Sequence, residues 1–301
     1  MADRGPDQII ASGDVLGEGP VWDARRGRLI WTDIQSRLLR SLDPAGSAPS
    51  GSAIETIRAP ERIGAFALTS DADVVMAAFE SGFGRFDLRR GTVAWLDRPE
   101  AGPTGRRFND GRVDRRGRFW AGTMVEDASL ALKHSASLWR LGADGSASTH
   151  RTGISISNGL CFSPDGRTLY FADSPKLTIL AFDLDPDTGA ISGERLFAEV
   201  AHSGPDGATV DAEGCVWSAC WGAGQIVRYA PDGRVIEILT VPTPQPTCPA
   251  FGGTDLKTLF VTSARDGLSP AELAADPHAG DLFVFERDVP GLPEVLYRAA
   301  P

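Results

Sequence analysis

Only four cysteines occur in the 301 residues, Cys161, Cys215, Cys220 and Cys248, and no two are spaced C-x-x-C. That excludes a disulfide framework and a thiolate zinc site, and leaves Cys161 and Cys215, set among strand residues, as small hydrophobes. The four histidines, His134, His150, His202 and His278, have no metal-ligand spacing. They are read as loop residues, with His134 and His202 expected near a channel mouth. There is no G-x-S-x-G, no phosphate-binding P-loop and no H-E-x-x-H; Gly82-x-Gly84 precedes no helix and reads as a hairpin. Lys/Arg clusters are missing as well. The pairs Arg25-Arg26, Arg89-Arg90, Arg106-Arg107 and Arg115-Arg116 flank turns, and Arg107 apart they read as solvated loop charges. With a net charge of −10, nucleic acid is not an expected partner. No stretch approaches the roughly 18 apolar residues that cross a membrane. The start MADRGPDQIIASG lacks a basic segment followed by an apolar run, so no secretory signal is read. A soluble cytoplasmic protein, acting as a monomer, is expected.

Helical periodicity is also scarce. One short helix is expected over Ser269–Ala275, with Ser269 as cap and Pro270 at the first position. What fills the chain is short apolar runs and turn residues, including 34 Gly and 21 Pro. Six segments repeat one pattern: apolar run, polar turn, apolar run. Their turn residues are Gly27, Asp73, Gly117, Gly166, Gly214 and Asp255, 41 to 49 residues apart. That period is near the length of one propeller blade. Each repeat holds three clear strand sequences, such as GPVWD, RLIWTDI and SRLLRSL in the first. Weaker and more polar outer strands follow: SAIETIRA, TVAWLDR, STHRTG, ERLFAEV and VIEILTV. The expected fold is all-β, a six-bladed β-propeller with four-stranded antiparallel blades, in one domain spanning residues 1–301. Two segments compete to close the ring, Gln8–Ser12 and Glu294–Arg298. The stretch Glu126–Ser137 is too long for a hairpin and is expected to loop over one face.

Eight or nine residues before the turn, four repeats carry an oxygen-bearing side chain: Glu18, Asn109, Asn158 and Asp206. In a propeller, one phase of the repeat is one height in the channel, so these four should converge. Taken singly, each has a plainer reading: Glu18 as a solvated turn charge, Asn158 and Asp206 as turn residues before Gly. Independent turns would not share a phase. Two carboxylates and an amide, from Glu18, Asp206 and Asn158, offer oxygen only, which suits Ca²⁺, Mg²⁺ or Mn²⁺ and leaves coordination positions for water or substrate. Arg107 lies two residues before Asn109 on the same strand face and suits a carboxylate or a hydroxyl-rich ligand. The plainer reading pairs it with Asp110 or another loop acid.

The segments L-G-E-G-P-V-W, R-F-N-D-G-R-V-D with G-R-F-W-A-G-T-M, S-N-G-L with Y-F-A-D-S, and P-D-G with V-D-A-E-G and W-S-A-C-W occur in this order. Together they resemble the senescence marker protein (regucalcin), gluconolactonase and luciferin-regenerating enzyme family. The later F-G-G-T-D-L-K-T-L-F-V-T-S-A-R is similar to the bacterial sugar lactonases within it. The resemblance implies a six-bladed propeller with one divalent metal, Ca²⁺ foremost and Mg²⁺, Mn²⁺, Zn²⁺ or Fe²⁺ open, held by Glu18, Asn158 and Asp206. It implies substrate contacts from Arg107, Asn109 and an acid after G-T-M, either Glu126 or Asp127. The reaction implied is hydrolysis of a sugar lactone to its aldonic acid in sugar catabolism. Asp206 would accept the proton of the attacking water, with activation of the water by the ion itself as the open alternative. A propeller that only binds metal or a ligand, and a metal-dependent ester or phosphotriester hydrolase, are the other classes. The first has no reason to keep Arg107 and Asn109 at the mouth. The second tends to use a more elaborate or doubled site, often with histidine.

Overall fold

The structure, a computed structural model, describes residues 5–44, 54–126, 134–201 and 203–299. Asp127 and His202 lie outside the described residues. Six four-stranded antiparallel sheets form, five of them built from one repeat each and the sixth from the last repeat with an N-terminal strand. Their innermost strands are Gly17–Asp23, Ile63–Leu68, Arg106–Val113, Ser157–Phe162, Gly204–Val210 and Pro246–Gly252.

The alternation along these strands explains why the sheets stand face to face around a ring. Neighbouring residues point to opposite faces, and here both faces are apolar. Ala65 joins a cluster with Phe108 and Phe119 of the third blade, while Phe66 joins one with Val21 and Ile30 of the first. Leu160 and Phe162 pack towards Trp120; Cys161, between them, packs towards Ala208 and Val210. Six such clusters occupy the six seams between blades. The four cysteines are buried and free; Cys161 lies in an inner strand and Cys215 immediately before a second strand. Outer strands such as Ile191–Glu199 are largely exposed, the expected state of a blade edge.

Gln8–Ile10 closes the ring. It pairs antiparallel with Leu282–Glu286 and completes the sixth blade. Glu294–Arg298 forms no strand, although its composition is as strand-like. It crosses the far end of the inner strands, with Tyr297 N–H on Leu68 O at 2.8 Å and Arg298 N–H on Gly117 O at 2.9 Å. Its Glu294 pairs with Arg112 inside the channel at 2.8 Å.

The turn before the second strand is built the same way in blades three and five. Asp211 accepts the N–H groups of Glu213 and Cys215, then Trp217 Nε1 and Arg228. Asp114 does the same for Arg116, Arg118 and Trp120. Of the arginine pairs expected as solvated loop charges, Arg89-Arg90 stays exposed, while members of the others are engaged with the fold. Arg106 pairs with Glu100, which is buried, and Arg115 donates to Pro293 O in the tail. The short helix forms at Pro270–Ala275, capped by Ser269 in a capping box with Glu272.

Candidate metal and active site

Each residue of the shared phase is followed by a glycine: Gly19, Gly159 and Gly207 directly, Gly111 one residue later. At each of these places the pairing to the second strand slips, between Glu18 and Val21, Phe108 and Gly111, Asn158 and Cys161, Pro205 and Ala208. A bulge turns the preceding side chain out of the sheet plane, here into the channel. Gly19 and Gly159 take φ values of 54° and 65°, a region that favours glycine. Blades two and six break the phase for visible reasons. Blade two presents Gly64, where an added Cβ would sit 2.4 Å from Phe108 O. Blade six presents Thr247, whose hydroxyl donates to Gly17 O.

The four side chains meet as expected. Glu18, Asn109, Asn158 and Asp206 are buried, and with Arg107 they line one cavity of about 230 Å³. Ser174 and Asp266 add polar wall; Leu16, Met124, Ile156 and Trp221 add apolar wall. Drug-sized ligands need roughly 300–1,000 Å³, so this cavity suits a molecule the size of a monosaccharide.

Hydrogen bonds fix the orientation of nearly every group. Ser174 Oγ donates to Pro205 O at 2.8 Å and so can only accept from Asn158 Nδ2, also at 2.8 Å. The Asn158 amide oxygen must then face the other way, where Asn109 Nδ2 reaches it at 2.9 Å. Asn109 Oδ1 in turn accepts Arg107 Nη1 at 2.7 Å. Arg107 does not pair with Asp110. Its Nε meets Glu126 at 3.0 Å, and Arg62 grips the same carboxylate with both terminal nitrogens at 2.7 Å while holding Glu80 on its other side. Asp110 accepts Leu160 N–H at 2.7 Å instead. Glu126 thus sits beside Arg107 but does not itself line the cavity. Among the histidines, His134 is exposed and bonds Ser155 Oγ at 2.6 Å, His150 lies against Trp120 and His278 meets Asp281.

Burial first, then the charge of Asp110, pushes Glu18 up to about 8. Burial and the charges of Glu18 and Asp110 push Asp206 well above the carboxylate range. Asp110 itself is pushed up to about 6 by burial. Glu126 stays low because Arg62 and Arg107 outweigh its partial burial. No three His, Cys, Asp or Glu side chains among the described residues gather as a metal cluster. The third oxygen here is an amide. Two repelling buried carboxylates and an asparagine lining one cavity are nonetheless a donor set that a hard divalent cation takes.

Three features escaped the sequence reading. Ser174 and Arg62 do not share the repeat phase, and Asp266 comes from a loop of blade six. Only the neighbouring A-D-S and E-R-I-G segments could have hinted at the first two.

A six-bladed β-propeller with an oxygen-lined cavity at one end of its channel defines the class. Residues 16–265 match the profile of the SMP-30/Gluconolactonase/LRE-like region, and the chain belongs to that family. It is 37% identical over 291 residues to 6-deoxy-6-sulfogluconolactonase of Pseudomonas putida, covering 96% of this chain and 97% of the relative. It is likewise 37% identical to L-arabinolactonase of Azospirillum brasilense, over 96% of this chain and 94% of that one. The crystal structure of a calcium-binding protein, regucalcin, from Agrobacterium tumefaciens superposes with a TM-score of 0.91 at 34% identity, covering 99% of this chain and 100% of that one. Among the described residues no helix is long and apolar enough to cross a membrane.

Proposed function

We propose that the protein hydrolyses a sugar lactone to its aldonic acid with the help of one divalent cation. The observation that carries this reading is the convergence of Glu18, Asn158 and Asp206 beside Arg107 in one monosaccharide-sized cavity. The two lactonases among its relatives support the reaction class. The calcium-binding description of the Agrobacterium protein supports a cation, with Ca²⁺ the first choice for an all-oxygen site.

Glu18, Asn158 and Asp206 would hold the ion. When bound, it supplies positive charge that lets both carboxylates ionise and draws electron density from the lactone carbonyl. The residues of the chain do the rest. Asp206 accepts a proton as the water oxygen bonds to the carbonyl carbon. The ring C–O bond then breaks, and the ring oxygen takes that proton from Asp206 to become the hydroxyl of the product acid, which returns Asp206 to its starting state. Arg107, with Nε and Nη1 held by protein, turns Nη2 to the substrate's hydroxyls. Asn109 acts at one remove, aligning the Asn158 oxygen from below while bracing Arg107. Glu126 sets the pose of Arg107. Asp127 is the alternative acid for substrate contact. Every group named comes from one chain, so a monomer suffices.

Acid release from a panel of pentono- and hexonolactones, with spontaneous hydrolysis subtracted, tests the proposal. Turnover of at least one lactone far above background is expected. Uniform inactivity despite demonstrated cation binding would sink the enzyme reading and favour a propeller that only binds.

A further inference from the structure

The charges around the cavity do not all cancel. Glu18 and Asp206 are matched by the divalent cation they would hold. Arg107 is matched by Glu126, and Arg62 lies between Glu126 and Glu80. Asp266 stands apart. It lines the cavity, is partly exposed, and forms no ion pair among the described residues. Its sequence neighbour Arg265 is exposed. One carboxylate oxygen, Oδ2, accepts Gln35 Nε2 at 2.9 Å. Gln35 is held from behind, where its Oε1 accepts Arg62 Nη1 at 3.3 Å. A chain of hydrogen bonds therefore runs from Asp266 through Gln35, Arg62, Glu126, Arg107 and Asn109 to Asn158. It fixes the pose of the Asp266 carboxylate and leaves Oδ1 without a hydrogen bond among the described residues.

Such a group can do two things. An oriented carboxylate accepts hydroxyl hydrogens in charge-assisted bonds, which are about twice as strong as neutral ones. It also repels an anion at the same place, and in a cleft of low dielectric that repulsion is only partly screened. Arg107, the cation among the lining residues, is already matched by Glu126, and the apolar side chains Leu16, Met124, Ile156 and Trp221 offer none.

We infer that Asp266 is a specificity-determining residue. It accepts hydroxyls on the exocyclic tail of the lactone and turns away lactones whose tail carries a phosphate, sulfonate or carboxylate. The substrate class is then the uncharged, hydroxylated aldonolactones. The inference rests on the lactonase reading above and deepens it.

The test compares kcat/KM for the best neutral lactone of the pentono- and hexonolactone panel and for the same lactone bearing a terminal phosphate, in the metal-replete wild type, Asp266→Asn and Asp266→Lys. The wild type should favour the neutral lactone by at least roughly tenfold. Asp266→Asn should lower kcat/KM on it about tenfold, mainly through KM, because a tail contact made equally in ground and transition states is uniform binding. Asp266→Lys should move the preference by more than about tenfold towards the phosphorylated lactone. Turnover with a preference unchanged in both variants would overturn the role of Asp266 alone. A wild type inert to both lactones would overturn the lactonase reading, and this inference with it.

Discussion

Asp206→Asn should lose roughly a thousandfold or more in kcat/KM while melting at a higher temperature than the wild type when both are free of metal. The loss follows from removing the proton acceptor, a contribution of about 10²–10⁴ in rate, together with one of two anionic oxygens offered to the cation. The gain in stability follows from the same burial that makes the site useful. Glu18 is pushed up to about 8 and Asp206 well above its ordinary value, each raised by burial and by neighbouring carboxylates. An acid whose folded-state value lies above its unfolded one keeps its proton better when folded. The metal-free fold therefore loses stability as pH rises from the ordinary carboxylate range through about 8. Asn at 206 takes one member of the pair out of this cost, so the melting advantage of the variant should widen between pH 6.5 and 8.5. Thermal melts in chelator and initial rates on the best lactone check both halves. Activity within tenfold of wild type would remove Asp206 from the chemistry, and an unchanged melting temperature at pH 8.5 would contradict the electrostatic argument.

Asp211→Ala should destabilise the fold by about 3–5 kcal/mol, the usual cost of leaving one partner of a buried ion pair behind. Asp211 is fully buried and takes two backbone N–H groups, Trp217 Nε1 at 2.9 Å and Arg228 Nη2 at 2.6 Å. Without it, those donors face an apolar methyl, and Arg228, stacked over the Trp217 ring at 5.2 Å, keeps its charge with only the exposed Glu213 to meet it. A fall in melting temperature of about 10 °C is expected. The effect should be much smaller for Glu213→Ala, since exposed partners contribute little. A shift under about 2 °C for Asp211→Ala would show that the turn is held by its backbone alone.

The features written once per repeat were readable before any coordinates. Period gave the six blades, and phase gave Glu18, Asn109, Asn158 and Asp206, because a bulge glycine follows each and every blade sets that position at one height. Arg107 followed from its place two residues before Asn109. Features that occur once were not readable. Gln8–Ile10 and Glu294–Arg298 look equally strand-like, and only the free edge of Leu282–Glu286 decides between them. Ser174 and Arg62 act on site residues across blade boundaries, at no common phase. Asn109 was expected to contact substrate; it lines the cavity, and its cross-blade bonds from the amide nitrogen to Ser157 O and Asn158 Oδ1 carried no sequence signal. Glu126 could be placed only once Arg62 and Arg107 were seen on either side of it.

The most direct test strips the protein of metal, confirms this by elemental analysis, and follows acid release from the best aldonolactone as Ca²⁺, Mg²⁺, Mn²⁺, Zn²⁺ and Fe²⁺ are added back one at a time. Turnover should fall to the spontaneous rate on stripping and return with at least one of these ions. Full turnover by the verified metal-free protein would contradict a cation held by Glu18, Asn158 and Asp206 as the centre of the reaction.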